Sequence, residues 1–433
     1  MKPLGSWNRI PNITPEKTLI LPTHCIPNEN TAPRPLIAHG NGRSYGDVCL
    51  NNRGTILSTR SLDRFIQFDQ KSGLIRCDSG VTLQEILRLV VPRGWFLQVT
   101  PGTQFATIGG CVANDVHGKN HHDAGTFGHH VNAFELLRSN GDRLLCSKNE
   151  NTDYFAATIG GLGLTGLISW VEIQLKSASS PFMIVETKKF QNLTQFWEMN
   201  AEAEANYPYT VSWIDCLSTG QSQGRGVLFA GTHADATVDE PPHKGRQLPF
   251  PVESPISLVN NLSLKAFNAV YYGRPLKKEP VVQHYAPFFY PLDSINNWNR
   301  MYGKKGFYQY QCVIPHLASK EAIAALLSEI SKSGQGSFLA VLKTFGTIPS
   351  IGMLSFSRAG TTLALDFPNR GPKTLNLFSK LDAIVTAHGG ALYPGKDARM
   401  STALFQQSFP QWSSFVQYID PEFSSHFWQR VTS

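Results

Sequence analysis

The chain has little charge. Asp, Glu, Lys and Arg make up 16% of its 433 residues, against 41% hydrophobic residues. That balance implies much buried surface and loops that line a ligand. It has no C-x-x-C. The 7 cysteines, at positions 25, 49, 77, 111, 146, 216 and 312, are odd in number and widely spaced. A paired disulfide framework is excluded, and free thiols in a reducing compartment are expected. Residues 1–12 lack the apolar core of a secretory leader, so a cytoplasmic location is expected. The uncharged stretch Tyr154 to Val171 is no membrane span, because glycines interrupt it and Asp153 and Glu172 close it. Arginine-rich helices and zinc-finger spacing are missing, which excludes nucleic acid as a partner despite the net charge of +7. That charge suits a phosphorylated substrate or an acidic membrane surface, and peripheral contact with the inner face of a membrane is compatible with it. Repeats and low-complexity tracts are also missing.

What is present is glycine in two telling places. The first segment reads Ala38-His39-Gly40-Asn41-Gly42-Arg43-Ser44-Tyr45-Gly46-Asp47. The second contains Gly102, Thr107, Ile108, Gly109 and Gly110, and leads through Asn114, Asp115 and Val116 into His117-Gly118-Lys119-Asn120-His121-His122. Converging backbone N–H groups can bind a phosphate only where the backbone comes close and takes unusual dihedrals. A nucleotide-binding reading follows, but not the Rossmann one. Gly40, Gly42 and Gly46 are spaced one residue too far, and a turn and strand follow them rather than a helix. A true G-x-G-x-x-G at Gly161, Gly163 and Gly166 lies between a helix (153–158) and a strand (167–175), where close packing on a neighbour or a ring is the better reading. A diphosphate cradle beside a histidine-bearing wall points to redox chemistry on a bound flavin.

The length predicts two domains. Residues 30–180 alternate short strands with helices such as 82–91, whose apolar residues are Leu83, Ile86, Leu87 and Val90. Residues 176–181 form a serine-containing junction. Beyond it, strands at 211–215, 226–230 and 361–367 and an amphipathic helix at 320–333 describe an α+β unit. The stretch 239–257, with Pro241, Pro242, Pro249, Pro251 and Pro255, reads as a long irregular loop, either a lid or a surface excursion.

The order strand–GNGRSYGD–strand, then PGTxxxTIGG, HGKNHH and GGxGLTG, resembles the vanillyl-alcohol-oxidase (PCMH-type) FAD-binding superfamily. Within it the chain is similar to the decaprenylphosphoryl-β-D-ribose 2′-oxidase family. Trp298-Asn299-Arg300, the stretch 309–315, Asp366-Phe367-Pro368 and Lys396-Asp397-Ala398-Arg399 extend the likeness over nearly the whole chain. The resemblance implies an α+β fold of two domains. Residues 1–180, completed by 390–433, would bind FAD, and 181–389 would form a substrate cap on an antiparallel sheet. It implies FAD contacts along the two glycine segments and at Ile168 and Tyr393. Relatives tether flavin through a histidine where this chain has Arg43, so noncovalent FAD is expected.

The resemblance also implies that the reaction is oxidation of a secondary sugar alcohol, the 2′-hydroxyl of a polyprenyl-phosphoryl ribose, as the first half of an epimerisation to arabinose for cell-wall polysaccharide. A short-chain reductase would act next. His117 would stand at the flavin edge, Lys396 would act as base or charge stabiliser, and Tyr45 would flank the site. Among residues 117–130, histidines 117, 121, 122, 129 and 130 sit in a glycine-rich loop with poor zinc-ligand spacing, so no metal is expected. Gln309 and Gln311 alternate on one strand, which puts two amides on one face for a polyhydroxylated ligand. Lys343 would meet a phosphate and Trp213 would stack on a sugar. Thr361-Thr362-Leu363-Ala364 and Phe289-Tyr290 depart from the family pattern and leave the exact substrate open. The rivals are a soluble sugar, alditol or aldonolactone oxidase on the same scaffold, and a flavin-binding protein without catalysis.

Overall fold

The computed structural model describes residues 4–235, 248–250 and 252–433. Most of the proline-rich stretch 239–257 lies outside the described residues. Three larger sheets organise the rest. Lys17–Ile20, Thr55–Ser58 and Leu36–His39 form a small parallel sheet, with Thr55–Ser58 in the middle. The first glycine segment leaves the end of Leu36–His39. A second, antiparallel sheet runs Phe65–Asp69, Leu74–Asp78, Leu167–Ser177, Val131–Leu137, Arg143–Ser147, and Trp95–Leu97 also pairs with Leu167–Ser177. Leu83–Val90 packs beside it as a helix. Thr82 caps its N-terminus and Glu85 reaches back to the Thr82 amide at 2.7 Å. Its buried side chains are Leu83, Ile86, Leu87 and Val90, the four the sequence marks.

The third sheet has eight strands in the order Val281–His284, Phe182–Phe190, Gly226–His233, Tyr209–Ile214, Ala340–Phe345, Gly360–Pro368, Phe307–Ile314, Ala391–Leu392. Its neighbours are antiparallel. Helices Leu193–Asn206, His316–Ser333 and Pro372–Ala387 supply one core with this sheet. Strand alternation then sorts the residues. Tyr310, Cys312, Ile314, Leu342, Leu363, Leu365 and Phe367 enter that core. Gln309, Gln311, Val341, Lys343, Thr362, Ala364 and Asp366 point the other way and line a cavity.

After Ala391–Leu392 the chain returns to the first sheets. Leu36 bridges Phe423, and the Leu36 amide donates to the Glu422 carbonyl at 2.7 Å. Arg430 joins Asp47 at 2.9 Å and Asp397 at 3.0 Å. The loop 117–130, read from its glycines as irregular, holds a short helix at His121–Ala124 and a 3-10 turn at Phe127–His130. Among the described residues no helix is long and apolar enough to cross a membrane.

Candidate active site

The cavity, about 370 Å³, lies between the glycine segments and the open face of the eight-stranded sheet. That volume falls within the range of ligand sites. Ala38, Gly40, Asn41, Gly42, Arg43, Ser44 and Tyr45 line one end, with Gly102, Thr107, Gly109, Gly110, Asn114, Val116, Ile168 and Tyr393 along the walls. Gly42 has φ +59°, and a Cβ there would stand 2.7 Å from the Gly5 carbonyl, so only glycine fits. Among the described residues, the backbone N–H groups of Asn41, Gly42, Arg43 and Ser44 donate to no backbone or side-chain acceptor. Arg43 Nε, Ser79 Oγ and Asn114 Oδ1 are buried with no partner among the described residues, and all three residues line the cavity. Orphaned donors in a glycine-lined pocket are what a diphosphate-bearing cofactor satisfies. The residues present therefore fit FAD.

Gly46, Asp47, Ile108, Asp115 and Trp213, also named from sequence, lie off the cavity wall. Gly46, with φ +72°, lets the Asp397 carbonyl come so close that a Cβ would sit 1.6 Å from it. The Tyr45 amide donates to the Gly395 carbonyl at 3.0 Å. The first glycine segment and the Lys396 segment thus share one joint. Asp47 is fully buried between Arg430 and His426. Burial alone would raise its pKa, but these two partners hold it below the usual carboxylate range. Ile108 belongs to a core cluster. Asp115 accepts from the Gly128 amide at 2.9 Å and from Ser355 at 2.5 Å. Trp213 shares the strand face of Val211 and Val341, which line the cavity, but its ring sits beside the cavity and not in its wall. Its Nε1–H donates to the Phe338 carbonyl at 2.9 Å and its ring packs on Tyr271 at 4.6 Å.

Lys396 Nζ sits 3.8 Å from the centre of the Tyr45 ring. Burial pushes its pKa down, and Asp366 opposes that shift in part. Asp366 is buried, and its own pKa is raised by desolvation. Its Oδ1 accepts from the Gln309 amide at 2.7 Å. The imidazole of His117 lies between two donors. Lys343 Nζ is 2.8 Å from Nδ1, and Gln311 Nε2 is 3.0 Å from Nε2. With the Gln311 amide oriented to donate, the ring proton sits on Nδ1 and a neutral Lys343 amine accepts it. Desolvation, with Lys119 nearby, holds Lys343 well below the ordinary lysine pKa, which agrees with that arrangement. Desolvation, the largest cause, likewise keeps His117 neutral. The other loop histidines bind backbone: the Gly346 amide donates to His121 Nδ1 at 3.2 Å, and His122 and His130 lie 3.0 and 2.9 Å from carbonyls.

The sequence did not single out Lys119, Asp366, Asp293 or Thr362. Lys119 lines the cavity, and desolvation lowers its pKa to about 8. Asp293 accepts from Thr103 Oγ1 and from the Gln104 amide, each at 2.8 Å, and so fastens the second glycine segment. The signal for Lys119 was present in the HGKNHH run. Asp366 and Thr362 reach the site through their pairing with Gln309 and Lys343. The GGxGLTG stretch also contributes, since Leu162, Gly163 and Gly166 line the cavity.

Residues 29–147 match the family described as FAD binding domain. With the orphaned donors of the first glycine segment, this defines an FAD-binding protein, and an oxidase relative makes it an FAD-dependent oxidoreductase acting on CH–OH groups. The chain is 34% identical over 405 residues to a decaprenylphosphoryl-β-D-ribose oxidase of Mycolicibacterium smegmatis, covering 90% of this chain and 87% of that one. An uncharacterised protein of Streptomyces coelicolor is 30% identical over 360 residues, 79% of this chain and 96% of its own. Human Δ(24)-sterol reductase is 29% identical over 110 residues, 25% of this chain and 21% of its own. The chain belongs to the decaprenylphosphoryl-β-D-ribose oxidase family, within the vanillyl-alcohol-oxidase type of FAD-binding fold.

Proposed function

We propose that the chain oxidises the 2′-hydroxyl of a polyprenyl-phosphoryl-β-D-ribose to the 2′-ketone, the first half of an epimerisation to arabinose. Residues 1–180 with 390–433 hold the cofactor and 181–389 cap the substrate. The observation that carries this reading is a pair of cavity lysines, Lys119 and Lys343, with no ion-pair partner among the described residues. A phosphodiester gives both lysines a counter-ion and draws Lys343 into its charged form, whereas a neutral sugar does neither.

The substrate phosphate stabilises protonated Lys343, which then donates to Nδ1 of His117 and leaves the ring proton on Nε2, with the Gln311 amide turned so that its oxygen accepts it. Gln311, and Gln309 held by Asp366, offer amides to the sugar hydroxyls. The Lys396 amine accepts the 2′-hydroxyl proton, and the Tyr45 ring face favours the resulting ammonium. Bound FAD supplies the hydride acceptor. Arg43, with its guanidinium 4.3 Å from the Trp7 ring centre and 4.9 Å from that of Phe105, has no nucleophilic ring nitrogen, so FAD is held without a covalent bond. The ketone passes to a short-chain reductase, and a lipid-linked substrate brings the enzyme into peripheral contact with a membrane.

Anaerobic mixing of the holoenzyme with polyprenyl-phosphoribose, arabinitol and gulonolactone tests the reading. The oxidised flavin band should bleach with the first. Equal bleaching by a neutral sugar would overturn it.

A further inference from the structure

The helix Asn261–Gly273 carries apolar residues on its outward face as well as on the face it packs inward with Leu264, Phe267 and Tyr271. Asn260 caps it, accepting from the Leu262 and Ser263 amides at 3.0 Å each. Its buried side chains are Leu264 and Asn268, and Asn268 donates to Asp215 at 2.6 Å. The helical spacing Leu262, Ala266, Ala269–Val270 and Gly273 instead lies exposed, with Leu262 at 80% and Val270 at 75% of full exposure. Ile256 and Leu258, just before the helix, are exposed too. An amphipathic helix in water normally turns this stripe inward, so an outward stripe marks a docking face.

Two further observations say what it meets. The rim is basic. Lys265 is exposed on the helix itself, and Lys277 and Lys278 follow it closely. The turn that carries exposed Lys304 and Lys305 rests on Ser254–Ile256, since a Cβ on Gly303 would stand 3.1 Å from Ser254 O and from Ile256 C. The patch is also continuous with the cavity. Phe267 stacks on Tyr271 at 5.5 Å and meets Phe338 at 4.9 Å, Tyr271 meets Trp213 at 4.6 Å, and the next residue after Phe338, Leu339, lines the cavity.

We propose that the outward face of Asn261–Gly273, with its lysine rim, seats on an anionic lipid bilayer and turns the cavity toward the membrane that carries the substrate. The seating gives the peripheral contact a specific face, and its link to catalysis rests on the lipid-phosphate reading above.

The test is co-sedimentation of the holoenzyme with phosphatidylcholine vesicles and with mixed phosphatidylcholine–phosphatidylglycerol vesicles. Binding should require phosphatidylglycerol and weaken with salt. The double variant Leu262→Glu/Val270→Glu should bind at least about tenfold more weakly, since each change takes a large apolar side chain out of the contact. Leu317→Glu is the control. Leu317 is fully exposed at the start of an 18-residue helix about 27 Å long, whose far end, at Gly334, meets Asn261. It should bind as the parent does.

Flavin reduction by a short-chain, water-soluble phosphoribose should be unchanged in the double variant. Failure of that substrate to reduce the parent, with vesicle binding as expected, would remove the proposed reaction and leave the docking face standing. Vesicle binding that ignores phosphatidylglycerol, or that the double variant retains, would overturn the docking face. So would a parent that self-associates through this helix and binds no vesicles.

Discussion

The two sides of the cavity are made of different material. The glycine side works through backbone: unpaired N–H groups at Asn41 to Ser44, and positive φ at Gly42 and Gly46. The sheet side works through side chains that alternate out of three neighbouring strands: Gln309 and Gln311, Thr362 and Asp366, and Lys343. A backbone site is fixed by shape, and one added carbon atom destroys it. A side-chain site is adjustable, and each group can be removed with the fold intact. On the proposed reading the cofactor falls to the rigid side, substrate choice falls to the adjustable one, and proton transfer falls to the joint between them. The Lys396 segment is that joint, through Gly395 and Asp397.

Lys396→Ala should give the largest kinetic effect of any single side-chain change at the cavity. The holoenzyme should keep its FAD, while flavin reduction slows by roughly 10²–10⁴-fold, the usual weight of a general base. Flavin content and anaerobic stopped-flow rates check both halves. Gly46→Ala should do the reverse. It places a Cβ in the left-handed region and against the Asp397 carbonyl, costing about 2–5 kcal/mol of stability. The variant should melt lower and purify with less flavin. A variant of normal melting temperature and full flavin would show that the joint yields more than the packing implies.

Lys343→Ala sharpens the division within the sheet side. Loss of a charge-assisted contact is worth about 1.5–3 kcal/mol, or roughly 10- to 150-fold in affinity. The loss should appear for a phosphorylated ligand and be small for a neutral sugar at physiological ionic strength. Equal weakening for both would make Lys343 a structural residue.

The pH dependence sets the role of Lys396. As a base it must be neutral, so flavin reduction should rise with pH. Desolvation lowers its pKa, so the plateau should arrive below the ordinary lysine value of about 10.4. If the charged form did the work, the rate would fall with rising pH. A smaller, qualitative check concerns Arg43: acid or heat precipitation should release the yellow colour to the supernatant, and colour kept in the pellet would mean a covalent tether.

The same difference explains what the sequence disclosed. A backbone site leaves glycines at fixed offsets, so the stretches 38–47 and 102–117 were legible in order, and the Thr82–Glu85 helix start was too. The side-chain wall was half legible. Gln309 and Gln311 follow from strand alternation alone. Asp366 does not, because its place beside Gln309 depends on a pairing register 57 residues away. Trp213 shows the converse. Its type suggested a sugar platform and its strand face is the right one, but the indole is held beside the cavity by Tyr271 and the Phe338 carbonyl. The helix at 261–273 was not read from the sequence although Leu262, Ala266, Ala269–Val270 and Gly273 recur at helical spacing, and that this stripe faces solvent could be told only from the fold.

The central claim is that the carbon oxidised is C2′, whose hydrogen leaves for the flavin as the 2′-hydroxyl gives up its proton. Its most direct test is anaerobic flavin reduction by phosphoribosyl substrate carrying deuterium at C2′. Reduction should be slower than with the unlabelled substrate, and deuterium at C3′ should leave the rate unchanged. Equal rates for the C2′-labelled and unlabelled substrates would contradict the account, and a slowing confined to the C3′ label would move the oxidation to another carbon.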